Sequence, residues 1–248
     1  MAGAVARLAD LLRESRSVVA LTGAGISVPS GIPDFRSPGT GLWENVDPME
    51  VAHIDAWRRD PERFWSFYGQ RFHLLDGKLP NGAHLVLAEL EARGVLEAVV
   101  TQNIDMLHRK AGTRRLIEVH GTIESSVCLR CGARYPLHDV RERLAEDPAG
   151  VPRCDCCAPL KPGVVLFGEM LPLGAMEEAS ALAARADVLL CVGSSLEVWP
   201  VAGLADVTHR AGGAVAIVTQ GPTPFDDVAT VKLTGDVVEE LQAVLAEL

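Results

Sequence analysis

The run Ser17-Val-Val-Ala-Leu-Thr22, followed at once by Gly23-Ala-Gly25, limits what this chain can fold into. A stretch of mostly branched, uncharged residues without alternation reads as a strand covered on both faces, as in a parallel sheet. Glycines directly after it mark a turn into a helix, where free amides and the helix dipole suit an anion. A pyrophosphate at Gly23, Ala24 and Gly25 fits that end. The dinucleotide fingerprint G-x-G-x-x-G is incomplete, since Val28 stands where its third glycine belongs and no acidic residue closes a second strand at the expected distance. This disfavours an ordinary hydride-transferring dehydrogenase. Pro29, Gly31 and Pro33 instead set a stiff loop carrying Asp34, Phe35 and Arg36. It reads as a lid over a bound cofactor, or alternatively as a plain surface turn.

Further apolar runs at 97–102, 115–119, 187–192, 213–219 and 228–234 alternate with helical patterns at 1–16, 81–93, 174–185, from Pro200 and from Asp236. That alternation predicts an α/β fold, a Rossmann-like doubly wound parallel sheet built from 1–33, 81–122 and 164–248. Ligands of such sheets collect at the carboxyl ends of strands, which is where Gln102, Asn103, Asp105, Gly193, Ser194 and Ser195 fall. A side-chain amide there matches a carboxamide such as nicotinamide, although Asn103 also suits a helix cap. His120, at a strand end beside Gly121, is a candidate general base, with a purely structural histidine as the alternative.

Two segments interrupt the alternation. Residues 34–80 hold the cofactor loop and a helical insertion, in which Asp60 and Pro61 form a good helix start. The helix carries Phe64, Phe67, Tyr68, Arg71 and Phe72, and Tyr68 and Arg71 share a face. They form either a carboxylate clamp in an apolar pocket, or a core tyrosine beside an arginine that snorkels to solvent. Residues 123–163 carry Cys128-Leu-Arg-Cys131 and Cys154-Asp-Cys156-Cys157. Paired knuckles of this kind predict one tetrahedral zinc on Cys128, Cys131, Cys154 and Cys157, which restores the C-x-x-C spacing, with Cys156 as rival. Four thiolates leave no position for a metal-bound water, so the zinc is structural. Cys191 lies in an apolar run and behaves as a small hydrophobe. A formal charge of −10 argues against nucleic acid as a partner. No membrane-span-length apolar run or signal sequence is read, so the chain is expected in the cytosol.

Gly23-Ala-Gly-Ile-Ser27, Gly31-Ile-Pro-Asp-Phe-Arg36, Thr101-Gln-Asn-Ile-Asp105, His120-Gly121, the paired cysteines, Phe167-Gly168-Glu169 and Gly193-Ser-Ser-Leu196 occur together in the order seen in sirtuins, which the chain resembles from about residue 17 to Pro200. Sirtuins are NAD-dependent protein lysine deacylases with a Rossmann-like domain and a small zinc module. The resemblance implies an NAD site at Gly23, Ala24, Gly25, Asp34, Phe35, Arg36, Gln102, Asn103, Asp105, Gly193, Ser194 and Ser195. It implies His120 as the catalytic histidine and an acylated-lysine protein as partner, paired as an added strand along Val164, Val165, Phe167 and Gly168. In the implied reaction the acyl-lysine oxygen displaces nicotinamide from the ribose. His120 then helps a ribose hydroxyl attack, and lysine and O-acyl-ADP-ribose are released. Tyr68-Gly-Gln-Arg71 with Ala52 also resembles the desuccinylating and demalonylating class, which implies an acidic acyl group. His53 stands where relatives commonly carry threonine, and Thr219 and Gln220 where many have an asparagine. A protein ADP-ribosyltransferase and a non-catalytic NAD-sensing module are the alternatives.

Overall fold

A computed structural model describes residues 2–34 and 46–248. The chain runs α1 (Ala2–Glu14), β1 (Val18–Thr22), a 3₁₀ turn over Ala24–Ser30, α2 (Pro48–Val51), α3 (Ile54–Arg59), α4 (Pro61–Asp76), α5 (Gly82–Ala92) and β2 (Ala98–Thr101). It continues through α6 (Leu107–Ala111), β3 (Leu116–Glu118), β4 (Gly121–Val127), β5 (Arg134–Pro136), α7 (Leu137–Glu146), β6 (Lys161–Val164), α8 (Ala175–Arg185) and β7 (Val188–Val192). Then come α9 (Gly203–Arg210), β8 (Ala214–Val218), β9 (Val231–Leu233) and α10 (Val237–Glu247).

Among the described residues six strands form a sheet ordered β3-β2-β1-β7-β8-β9, with every pairing parallel. β1 and β7 are buried at every residue. Because side chains alternate across a strand, Val18 and Ala20 join Leu8, Leu12, Leu87 and Leu241 on one face. Val19 and Leu21 join Leu182, Leu189 and Leu204 on the other. The doubly wound expectation is met, and its ends are capped as the residue types suggest. Asp60 accepts from Arg63 N with Pro61 in the first turn, Asn81 accepts from Ala83 N, and Asp236 accepts from Val238 N and Glu239 N. Two helix starts differ from the sequence reading. The segment after Gly23 is 3₁₀ and not α. After Pro200 the chain makes turns that lay Trp199 against Gly203, so α9 begins only at Gly203.

A second, antiparallel sheet is ordered β5-β4-β6, with a register shift between Gly121 and Ser126. Its core is shared with the helical insertion. Trp57, Phe64, Trp65, Tyr68 and Phe72 pack in one cluster with Ile123, Tyr135, Val140, Leu160, Val164 and Leu166. Trp57 Nε1 and Trp65 Nε1 both donate to the Leu160 carbonyl, at 3.2 and 3.0 Å. Two stretches distant in sequence therefore build one small lobe beside the large parallel-sheet lobe. No helix among the described residues is long and apolar enough to cross a membrane.

Candidate functional site

The carboxyl ends of β1, β2 and β7 converge. Gly23 N donates to Val192 O at 3.1 Å and Gly25 N to Gly193 O at 2.8 Å. A Cβ on Gly23 or Gly25 would lie 2.8 Å from the Gly193 carbonyl oxygen, closer than real side chains come. These glycines therefore let two strand-end turns close on each other. Ile26 N is bonded to Gly23 O, so of the turn's first amides Ala24 alone lacks a partner among the described residues. The expected anion cradle narrows to that amide.

Around this junction the polar side chains form one network. Asn103 Nδ2 donates to Gly23 O at 3.0 Å and to Ser27 Oγ at 3.1 Å, while Ser27 Oγ donates to Asp105 Oδ2 at 2.6 Å. Asp105 also takes Leu107 N at 2.9 Å, so it, and not Asn103, serves the start of α6. Burial raises the Asp105 carboxyl above its usual range, and these hydrogen bonds oppose the rise. Gln102 Nε2 donates to Ser194 Oγ at 3.0 Å. The structure thus brings together Gly23, Gly25, Gln102, Asn103, Asp105, Gly193 and Ser194. Ser195 and Asp34 lie in the loops that follow the same turns. Phe35 and Arg36 lie outside the described residues.

Sequence reasoning missed Ser27, and with it a buried layer behind the network. Thr22 Oγ1 donates to Thr101 Oγ1 at 2.8 Å and meets His108 Nε2 at 2.9 Å. The His108 ring lies 4.9 Å from that of His84. The contact at Nε2 fixes the His108 ring against Thr22, while its Nδ1 meets no hydrogen-bond partner among the described residues. Burial lowers His84 to about 4 and His108 to about 3, so both are neutral near pH 7. A serine in the quoted glycine motif and His84 in the helical pattern at 81–93 were the available signals, but neither names a buried partner.

His120 links this network to the small lobe. Its Nδ1 lies 3.0 Å from the Gln102 carbonyl, an acceptor only, so Nδ1 carries the proton and Nε2 keeps a lone pair. Burial lowers its pKa and the bond to Gln102 opposes the shift. The result is a neutral, oriented imidazole able to accept a proton near pH 7. Its own carbonyl accepts from Val165 N at 2.8 Å, and Gly121 pairs with Val164 across the β4–β6 ladder. Phe167 N and O bond to Ala52 O and Ile54 N, both at 2.9 Å. Val164, Val165, Phe167, Gly168 and Ala52 therefore form one edge leading away from His120. Gly168, at φ +83°, faces His53, whose ring a Cβ would meet at 2.6 Å. Tyr68 stacks on Phe64 at 4.6 Å in the same core as Ala52. Arg71 lies on α4, but its side chain is outside the described residues.

At the far side of the small lobe the sulfurs of Cys128, Cys131, Cys154 and Cys156 all lie within 4.8 Å of one another. The Cys128–Cys156 and Cys131–Cys154 pairs stand at 3.6 and 3.5 Å. That is far beyond disulfide length and close to the edge of about 3.8 Å that four 2.3 Å Zn–S bonds make in a tetrahedron. The donor set fits zinc. Cys157, favoured by spacing, is corrected to Cys156. A tight turn bonds Cys157 N to Cys154 O at 2.7 Å and puts Cys157 at φ +67°, exposed and outside the set. Tyr135 Oη lies 3.2 Å from Cys154 Sγ, and Arg130 donates to the Cys156 carbonyl, so the ligand turn is braced from outside.

A family model described as the Sir2 family matches residues 23–200. The NAD-dependent protein deacetylase of Thermotoga maritima is 48% identical over 240 residues, 96% of either chain. Among solved structures, Sir2 with a deacetylated p53 peptide and 3′-O-acetyl-ADP-ribose superposes with a TM-score of 0.93 at 45% identity, covering 97% of each chain. Sir2 with a p53 peptide and NAD⁺ gives 0.90 at 46% identity, again over 97% of each.

Proposed function

The chain belongs to the Sir2 family, and from that premise we propose that it is an NAD-dependent protein deacylase acting on acyl-lysine side chains. NAD is a consumed substrate, leaving as nicotinamide and O-acyl-ADP-ribose. The observation that carries the reading is the placement of His120, whose ring is oriented by Gln102 while its backbone carbonyl holds Val165 of the peptide edge. Nε2 of His120 takes the proton of a ribose hydroxyl, which then attacks the activated acyl carbon. Asn103 spends its amide protons on Gly23 and Ser27 and so offers Oδ1 to the nicotinamide carboxamide. Asp105 and Ser194 serve the ribose, and the Ala24 amide, left free by a turn that Gly23 and Gly25 close, serves the phosphates. Phe35 and Arg36, which lie outside the described residues, are assigned the role of keeping water off the activated sugar. The acylated peptide adds along Val164, Val165, Phe167 and Gly168. Zinc on the four clustered thiolates has a structural role, and the enzyme works in the cytosol.

We further propose an acidic acyl group, succinyl or malonyl, with acetyl also accepted. Ala52 supplies room and Tyr68 and Arg71 supply the phenol and guanidinium that hold the distal carboxylate. A charge-assisted bond of about 1.5–3 kcal/mol corresponds to roughly tenfold to hundredfold selectivity. Matched acetyl-, malonyl- and succinyl-lysine peptides with NAD, followed by mass spectrometry of peptide and nucleotide products, test both levels. Arg71→Met should lower kcat/KM on the succinyl peptide at least about tenfold more than on the acetyl peptide. Equal losses would remove the acidic-acyl reading. ADP-ribose on the peptide would instead indicate a transferase, and NAD binding without nicotinamide release a sensor.

A further inference from the structure

At the end of β6 and just past it, the backbone groups from Val164 to Phe167 are bonded on two sides. On one side Val165 N and both groups of Phe167 bond to His120, Ala52 and Ile54. On the other, Val164 O and Leu166 N are served by two charged side chains. Lys161 Nζ donates to Val164 O at 2.7 Å and to Pro162 O at 3.1 Å, while Glu169 Oε2 accepts from Leu166 N at 2.9 Å. The two side chains meet as an ion pair at 2.8 Å.

Lys161 is a buried lysine, its side chain only 7% exposed. Burial depresses its pKa and Glu169 opposes the shift. An apolar pair of similar volume commonly matches the stability of a buried ion pair, so packing alone does not account for these charges. What an apolar pair cannot do is bond Val164 O and Leu166 N, and those bonds fix the pleat of the edge whose opposite side holds His120 and Ala52. β6 itself is pinned at its entrance by the two indoles on the Leu160 carbonyl. The ion pair sets its exit.

Resting on the deacylase reading above, we propose that Lys161 and Glu169 are positioning residues for the acyl-peptide strand, holding Val164 to Gly168 in the register that the peptide backbone and His120 both require. Their bonds go to the backbone of that edge and to each other, so their effect falls on peptide affinity.

The test is the double variant Lys161→Met with Glu169→Leu, which keeps the volume and removes both bonding partners, compared with Lys161→Arg, which keeps a cation in place. With acyl-lysine peptide and NAD, the double variant should melt near the wild-type temperature and raise the peptide KM about tenfold or more. The KM for NAD should stay within about twofold of wild type, and Lys161→Arg should recover most of the peptide affinity. A double variant with wild-type peptide KM overturns the proposal. So does one in which both KM values rise together as the melting temperature falls, since that is the mark of a merely structural pair. Wild-type protein that turns over no acyl peptide overturns the deacylase reading, and this proposal with it, before any variant is compared.

Discussion

In the large lobe β1 pairs with β2 and β7 in unbroken parallel register, and each strand is buried from end to end. In the small lobe β4 meets β6 across a register shift, two of the three strands are four residues or shorter, and order comes from an aromatic cluster and four thiolates. One lobe is specified by backbone pairing between apolar runs, the other by side chains and a metal. The proposed chemistry lies between them, because His120 gives its ring bond to one lobe and its backbone bond to the other.

Removing the zinc should separate the lobes most sharply. A chelator, or Cys156→Ser, should abolish deacylation and expose the small lobe to limited proteolysis, while the parallel-sheet lobe keeps its far-UV signal. Cys157→Ser should change stability by less than about 0.5 kcal/mol, as for an exposed residue outside the metal set. Simultaneous loss of both lobes on chelation would break the comparison, and a damaging Cys157→Ser would reverse the ligand assignment.

A smaller effect is expected at the junction. His120→Ala should lower kcat by about 10²–10⁴ with the melting transitions of both lobes unmoved. A loss confined to KM would mean that His120 binds without taking a proton.

Acidification should bear on the large lobe. His84 and His108 stay neutral in the fold well below 6.5, so the unfolded chain takes up protons first as pH falls. Their contribution is complete above 6.5 and drains as the pH drops toward about 4 for His84 and about 3 for His108. Each costs up to about 1.4 kcal/mol per pH unit in that window. Between about pH 7 and about pH 5.5 the far-UV denaturation midpoint should fall further than the blue-shifted emission of buried Trp57 and Trp65 in the small lobe. Equal shifts would place the acid-sensitive groups elsewhere.

The same contrast governs what could be read from sequence. Continuous apolar runs such as 17–22 and 187–192 announce parallel strands, and Asp60, Asn81 and Asp236 announce helix starts, because both signals are local. Polar residues at strand ends were legible for the same reason. The roles of Ser27, His84 and His108 were not read, since their partners come from other elements, and those of Lys161 and Glu169 were not because they depend on how the segment after β6 folds back on itself. The fourth thiolate was read with Cys157 ahead of its rival Cys156 because spacing favours C-x-x-C, whereas the turn geometry at Cys157 favours its neighbour.

The Leu160 carbonyl that accepts both indoles has a consequence for engineering. It rivets the helix bearing Tyr68 and Arg71 to the metal-binding module, so the two behave as a single cassette. A graft that tests the proposed acyl clamp in a relative should therefore move residues 46–76 and 121–169 together, so that Trp57 and Trp65 keep the surroundings in which both donate to the Leu160 carbonyl.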